Sequence, residues 1–462
     1  GSSALAANTE GASNVAVGSS ALGGNTTASN NTAIGYNTLG ACTTGTSNTA
    51  IGTIALDAIT TSSNNTALGH EALTNATSGA GNTALGKSTM TATVTGSNNV
   101  AVGYAALTAI TSASNVVSVG HNALGANTTG GNNTAVGTNA LDANTSGVQN
   151  TAVGMNALGA NTTAAGNTAF GYRAGMTNIT GTKLTAIGES CLRLSTGNNN
   201  TGLGTGAGEV CTGSANVWIG KQAGVTATTG DNNVAVGSAA LQAQVAANRN
   251  VAIGTNACDA LTTGANNVAV GAEANGCTTG SNNTCIGDLA GDEITTSSNN
   301  VVIGRQASIN AGDDQGSQVV LGTGLTGIGY HQGILGGVNA VYNQGNSTAW
   351  QQTSDVRIKK NIEDYTLGLD AINGIRTRTF DYRRLDEIPN GTDGVILNPN
   401  ELPEGQRVGV IAQEIIDVLP SCVKEHPNSR LSVTTDNILW TLINAVQELS
   451  TQVDELKSKI GE

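Results

Sequence analysis

Along residues 1–322 apolar and polar positions recur in one fixed order. The unit is Asn-(Thr/Val)-Ala-(Ile/Val/Leu)-Gly-x-x-Ala-Leu, followed by a polar turn such as Asn127-Thr-Thr-Gly130. Its glycine falls at Gly18, Gly35, Gly52, Gly69 and onward to Gly188 at a constant spacing of 17. It continues at Gly204, Gly220, Gly237, Gly254, Gly271, Gly287, Gly304 and Gly322, at spacings of 16 to 18. The residue before this glycine is large and apolar, as at Val17, Ile34 and Leu321, and three before it stands a Thr or Val, as at Thr32, Val100 and Val301. That triplet predicts a short strand whose two faces are both apolar or small, hence both covered. A second apolar pair, Ala21-Leu22 or Ala140-Leu141, marks the other side of a coil, and Gly and Asn-Thr-Thr-Gly are expected to supply the positive-φ corners.

A unit this short buries nothing alone, but stacked coils bury one another. At about 4.7 Å per stacked strand, some 19 coils make a rod of roughly 90 Å. The Asn four residues before each glycine (Asn14, Asn31, Asn48, Asn300) is expected to stack into a side-chain ladder. One face of each strand looks into its own coil, so the other apolar face calls for a partner chain. The repeat resembles the left-handed β-roll heads of trimeric autotransporter adhesins and repeats of phage fibres. That resemblance implies architecture rather than ligand. Gly1-Ser-Ser-Ala-Leu5 repeats Gly18-Ser-Ser-Ala-Leu22, so the sequence reads as a fragment that opens in mid-repeat, with an N-terminal anchor to virion or cell surface still to come.

Composition then divides the chain. All five prolines lie after residue 388, and residues 1–351 carry 7 basic and 14 acidic residues against 12 and 18 in the remainder. The expected domains are a repeat shaft (1–322), an irregular linker or distal tip (323–353), and a C-terminal module (354–462) ending in a helix over about 432–460. In that helix Leu439, Val446, Val453 and Ile460 share one heptad position and Leu442, Leu449 and Leu456 the other, which predicts a coiled coil. The residue types at these positions favour two strands.

The stretch Ser354-Asp-Val-Arg-Ile-Lys-Lys-Asn-Ile362 resembles the start of the self-cleaving intramolecular chaperone at the C-termini of phage tailspikes, endosialidases and tail fibres. Leu369-Asp-Ala-Ile372, Thr379-Phe-Asp-Tyr382, Gly409-Val-Ile-Ala-Gln-Glu414 and Asn444-Ala-Val-Gln-Glu-Leu449 follow in that family's order, with Val410 where an aromatic is common. The resemblance implies three chains rather than two. It also implies cleavage of Thr353–Ser354 by Ser354, with Lys359 as general base and backbone N–H groups stabilising the oxyanion. Asp355 and Arg357 belong to the motif in an orienting or structural role. Spacing alone favours the plainer reading, in which Ser354-Asp355 caps or turns the chain and Lys359 is a solvated charge; the family motifs reverse that preference. A uniform repeat slips register cheaply, so a detachable C-terminal clamp has a mechanical purpose, and its removal leaves the rod kinetically trapped.

Charge and candidate ligands exclude other classes. The net charge of −13 lacks the basic footprint of nucleic-acid binding. No apolar run approaches the length of a membrane span. The four histidines (His70, His121, His331, His426) share no metal spacing, and the repeat lacks the calcium-binding nonapeptide, so neither metal nor cofactor is expected. Cys191, Cys258 and Cys285 replace Ala or Leu at core phases and read as small buried hydrophobes, while Cys42 and Cys277 share a turn phase with Asn25 and Asn127, without a catalytic partner. Carboxylates are sporadic in the repeat, which disfavours a polysaccharide hydrolase, and one Thr per strand disfavours an ice-binding array. Tyr330, Tyr342 and Trp350 gather where the repeat breaks, as candidate contacts to a host receptor such as a glycan or as a structural plug. The expected whole is an all-β repeat, a β-solenoid or left-handed β-roll in a homotrimer, followed by a small α+β chaperone domain with a coiled coil. In function it reads as an extracellular phage tail fibre for host attachment, with a bacterial cell-surface adhesin as the alternative. Any enzymatic activity is confined to a single self-cleavage.

Overall fold

A computed structural model of the chain describes residues 1–309, 316–327, 333–336, 360–381, 406–425 and 431–461, with the backbone alone at 341–343 and 351–352. The chain divides into two compact units, Gly1–Thr353 and Ser354–Glu462.

The first unit is a parallel β-solenoid. Each coil gives one three-residue strand, from β1 (Val15–Val17) and β2 (Thr32–Ile34) to β19 (Val319–Leu321) and β20 (Gly333–Leu335). Successive strands pair in register, so Thr32, Ala33 and Ile34 lie against Thr49, Ala50 and Ile51, and the pattern persists to Val301, Val302 and Ile303 against Val319, Val320 and Leu321. Side chains alternate along a strand. The middle residue, usually Ala, points into the coil and is buried, while the flanking residues face outward. In the single chain that outer face is half-exposed rather than covered, with Ile34 at 37% and Phe170 at 57%.

The opposite side of the coil is built from turns. Ala21 N–H bonds to the Gly18 carbonyl, Gly23 N–H to Ser20 and Asn25 N–H to Leu22. Within them Leu22, Leu39 and Leu56 adopt φ of 51°, 51° and 50°. A left-handed Leu costs about 1–2 kcal/mol. Burial of the side chain contributes about 1.5–3 kcal/mol, and the Leu22 N–H reaches across to the Thr38 carbonyl of the next coil at 3.0 Å. The corner glycines carry the expected positive φ, 135° at Gly18 and 142° at Gly35, but the polar turn does not. Asn127-Thr-Thr-Gly130 lacks it, and Asn132, two residues further on, has φ 57°. Gly130 is needed for space instead, because a Cβ there would collide with the Gly147 carbonyl.

The expected asparagine ladder forms, with side chains linked directly in some coils, as Asn300 Nδ2 to Asn283 Oδ1 at 2.9 Å, and through the backbone along the row. In the row four residues before the glycine, the Asn Oδ1 accepts the N–H of the residue one coil later: Asn31 from Asn48 (2.9 Å), Asn48 from Asn65 (2.9 Å), Asn283 from Asn300 (3.0 Å). Its Nδ2 donates to a carbonyl in the turn before the next strand, as Asn31 to Gly45 (2.8 Å) and Asn48 to Ser62 (2.9 Å). One side chain thus satisfies two buried backbone groups that a corner would otherwise strand.

Packing inside the coils is compensatory. Trp218 replaces the inward Ala of its strand and is fully buried. The Leu phase is vacated in its own coil, at Gly224, and in the preceding one, at Gly208, and a Cβ at either glycine would strike the indole. The cysteines are buried and unpaired. Burial lifts the Cys191 and Cys277 thiols to about 12 and pushes Cys258 and Cys285 up as well. A raised folded-state value means stability present below the unfolded value of 9.0 and lost as pH climbs toward 12. The melting temperature is expected to be insensitive to these thiols below pH 9 and to fall above it, less steeply in Cys191→Ala/Cys277→Ala; an identical alkaline fall in that variant would refute their burial.

The second unit is small and mixed. Helix α1 (Leu369–Gly374) is followed by an antiparallel pair, β23 (Arg378–Phe380) with β24 (Arg407–Gly409), then the short helix α2 (Ala412–Ile415) and a second pair, β25 (Val423–Glu425) with β26 (Leu431–Val433). Helix α3 (Asp436–Ile460) closes the chain. It starts at Asp436 rather than near 432, because Leu431–Val433 are spent on the β26 pairing. Gly461 ends it in the left-handed conformation (φ 82°), its N–H on the Lys457 carbonyl. The core of the described part is Ala371, Ile415, Leu419 and Cys422, against which Val418, Val433 and Ile438 pack.

Candidate self-processing site and assembly surfaces

Residues Thr353, Ser354, Asp355, Arg357 and Lys359 lie outside the described residues, as do Tyr330 and Trp350. Tyr342 falls in a strand, β21 (Val341–Asn343), which reverses direction against β20 and pairs in turn with β22 (Gln351–Gln352). The parallel stack therefore ends in an antiparallel meander, and β22 finishes at the residue before Thr353.

Downstream of Lys359 the chain runs as an extended strap to α1. Residues 361–367 are exposed, with Ile362 at 65%, so hydrophobic burial does not fix the strap. Side chains of α3 do. The Asn444 amide donates to the carbonyls of Tyr365 and Leu367. The Tyr365 hydroxyl meets Thr441 Oγ1 at 3.0 Å, and Glu448 Oε2 accepts the Leu369 N–H at 2.7 Å. The Glu448 carboxylate lies where a Cβ on residue 368 would stand, so a larger residue there would push it aside. Nearby, Arg378 grips Glu414 with two hydrogen bonds of 3.0 and 2.6 Å. The Arg378 hydrogen bonds hold the Glu414 carboxyl below the usual carboxylate range. An exposed pair of this kind contributes little to stability.

Two apolar surfaces are open in the single chain. One is the outer face of the solenoid sheet. The other is the heptad face of α3, where Leu439, Leu442, Val446, Leu449, Val453, Leu456 and Ile460 are all exposed. The same helix turns Thr441 and Ala445 inward, so its two faces do separate work. A third feature was not anticipated: every Tyr and His of residues 1–322 (Tyr36, His70, Tyr104, His121, Tyr172) directly follows a corner glycine. That position is exposed and has room for a ring; Tyr104 and His121 stack there at 5.5 Å, and Arg173 covers Tyr172 at 4.8 Å. Alignment of the sequence by its glycines makes this row legible. Among the described residues no group of three or more His, Cys, Asp or Glu is placed to hold a metal ion, and no helix is long and apolar enough to cross a membrane.

The stretch that begins at Ser354 decides the family of the second unit. Residues 354–424 match the chaperone of endosialidase family. The match runs from Ser354 through α1 and α2 and ends within β25. The chain is also similar to the long tail fibre protein Gp37 of Enterobacteria phage K3, 30% identical over 115 residues, covering 23% of this chain and 8% of that protein. The Gp37 protein of phage T2 is similar to the same degree, over 7% of its length. The chain therefore spans a small part of these relatives. No solved structure matches it.

Proposed function

We propose that this chain is the shaft and chaperone part of a homotrimeric phage tail fibre, extracellular on the virion and engaged in host attachment. The observation that carries the reading is a chaperone module fused directly to a repeat rod, with similarity to long tail fibre proteins. Each open apolar surface then has an occupant. Three chains cover one another's outer sheet faces along the rod, and three α3 helices join through Leu439, Leu442, Val446 and Leu449. The helices set the register before the rod closes, which a repeat this uniform requires.

Self-cleavage releases the clamp. Ser354 Oγ adds to the Thr353 carbonyl carbon while its proton passes to Nζ of Lys359, a transfer that requires the amine to be neutral. The proton moves on to the Ser354 nitrogen as the C–N bond breaks, leaving an ester between Thr353 and Ser354 Oγ. Water hydrolyses the ester to a Thr353 carboxylate, a free hydroxyl and a new N-terminal amine. Asp355 and Arg357 orient the segment. The meander around Tyr342, with Tyr330 and Trp350, becomes the free distal end and contacts the host receptor, to which an aromatic ring offers an apolar face for a sugar. No cofactor enters the reaction. Mass spectrometry of the expressed chain tests the chemistry: a fragment of residues 354–462 is expected in the wild type and absent in Ser354→Ala and Lys359→Ala. An intact wild-type chain after assembly, or cleavage that persists in both variants, would contradict it.

A further inference from the structure

Helix α3 exposes two apolar residues that its heptad face does not account for. Trp440 and Ile443 are 56% and 40% exposed, and each directly follows a heptad residue, Leu439 and Leu442. Three positions apart, they lie together on one flank of the helix. We propose, on the three-chain reading above, that this flank docks on the neighbouring chain's chaperone module, so that three modules close into one clamp around the α3 seam.

The two flanks of the heptad face are unlike. The residues just before Leu439 and Val446 are Ile438, which packs on the module's own core, and Ala445, which is buried. Beyond them Thr441, Asn444 and Glu448 bond the strap at Tyr365, Leu367 and Leu369. Each chain thus carries its module on one flank and leaves Trp440 and Ile443 open on the other. In a parallel coiled coil the position after a heptad leucine of one helix lies beside the position before a heptad residue of the next. The open flank of one chain therefore meets the module-bearing flank of its neighbour, and a head-to-tail contact of this kind closes into a ring. Height along the helix points to the same occupant. The strap meets α3 from Thr441 to Glu448, and residues 449–461 are exposed. The open flank is apolar at Trp440 and Ile443 and turns polar from Gln447 onward, through Ser450, Asp454 and Lys457. It is apolar only where a neighbouring module can stand, because chains in register carry their modules at one height. Trp is also among the residues most enriched at the buried centres of interfaces.

The test uses the full, uncleaved Ser354→Ala chain as parent. Acrylamide quenching of Trp440 is read as the difference between the parent and its Trp440→Phe form. It is expected to be severalfold weaker in the assembled parent than in a parent carrying Leu442→Asp and Leu449→Asp, whose charges break the seam. Equal quenching in the two states would overturn the proposal. Appearance of assembled chain after synthesis is expected to slow by about tenfold or more in Trp440→Ala/Ile443→Ala, as for loss of a buried aromatic anchor. Gln447→Ala/Ser450→Ala, further along the same flank, is expected to assemble at the parent rate. Parent-like assembly of Trp440→Ala/Ile443→Ala, or equal slowing in both double variants, would also refute the docking. A parent that sediments as one chain overturns the three-chain reading itself, and the parent alone reveals that outcome.

Discussion

Alanine at Gly137 is expected to break the rod locally, at a cost of about 4 kcal/mol or more, a size reserved for core overlap and backbone strain. Gly137 has φ 135°, and a Cβ built there lies 2.7 Å from the carbonyl carbon and oxygen of Gly154 in the next coil. Both neighbours are backbone, pinned on either side by in-register pairing of Thr134 with Thr151 and Val136 with Val153. Nothing in the coil can yield without breaking those bonds. Hydrogen exchange should show protection lost around residues 134–154 while distant coils stay protected, since each coil touches only its neighbours. Gly324→Ala is the control, with positive φ but no atom within 4 Å, and it should lose only about 1–2 kcal/mol of conformational energy. Equal protection in the two variants would mean the corner glycines are not steric requirements.

Aspartate at Leu442 and Leu449 together is expected to abolish assembly while leaving the chaperone module folded. Both leucines are about half exposed in the single chain, 45% and 49%, so the unit's own core around Ile415 and Leu419 does not depend on them. In a three-helix seam each substitution buries three like charges without partners, and one uncompensated buried charge already costs about 3–5 kcal/mol. Helix content by circular dichroism should survive in part, and sedimentation should show unassembled chains. An assembled, wild-type-sized particle in this variant would show that the heptad face does not join the chains.

How much was legible in the sequence follows from how often a signal is repeated. The strand triplets, the buried Ala row and the asparagine ladder each recur many times, so a single look at the glycine spacing places them. The left-handed leucines were not legible, because propensity argues against φ near 50° for Leu22 or Leu39 and what compensates it, side-chain burial and a hydrogen bond to the next coil, is not local. The half-exposed outer face follows from the same alternation that buries Ala33, since a three-residue strand cannot hide both sides in one coil. In the second unit the heptads of α3 were plain, while the grip of Asn444 on Tyr365 and Leu367 was not. That contact links positions 79 and 77 residues apart, and no local pattern encodes it. Asn444 itself lies inside a stretch that the sequence offered only as a family signature.

The central claim is that identical chains close one another's apolar faces along the rod and through α3. Sedimentation equilibrium of the uncleaved Ser354→Ala chain tests it most directly. The account predicts one species at three times the 45.9 kDa chain mass, unchanged on dilution. A species at the mass of one chain, soluble and with its solenoid intact, would contradict it.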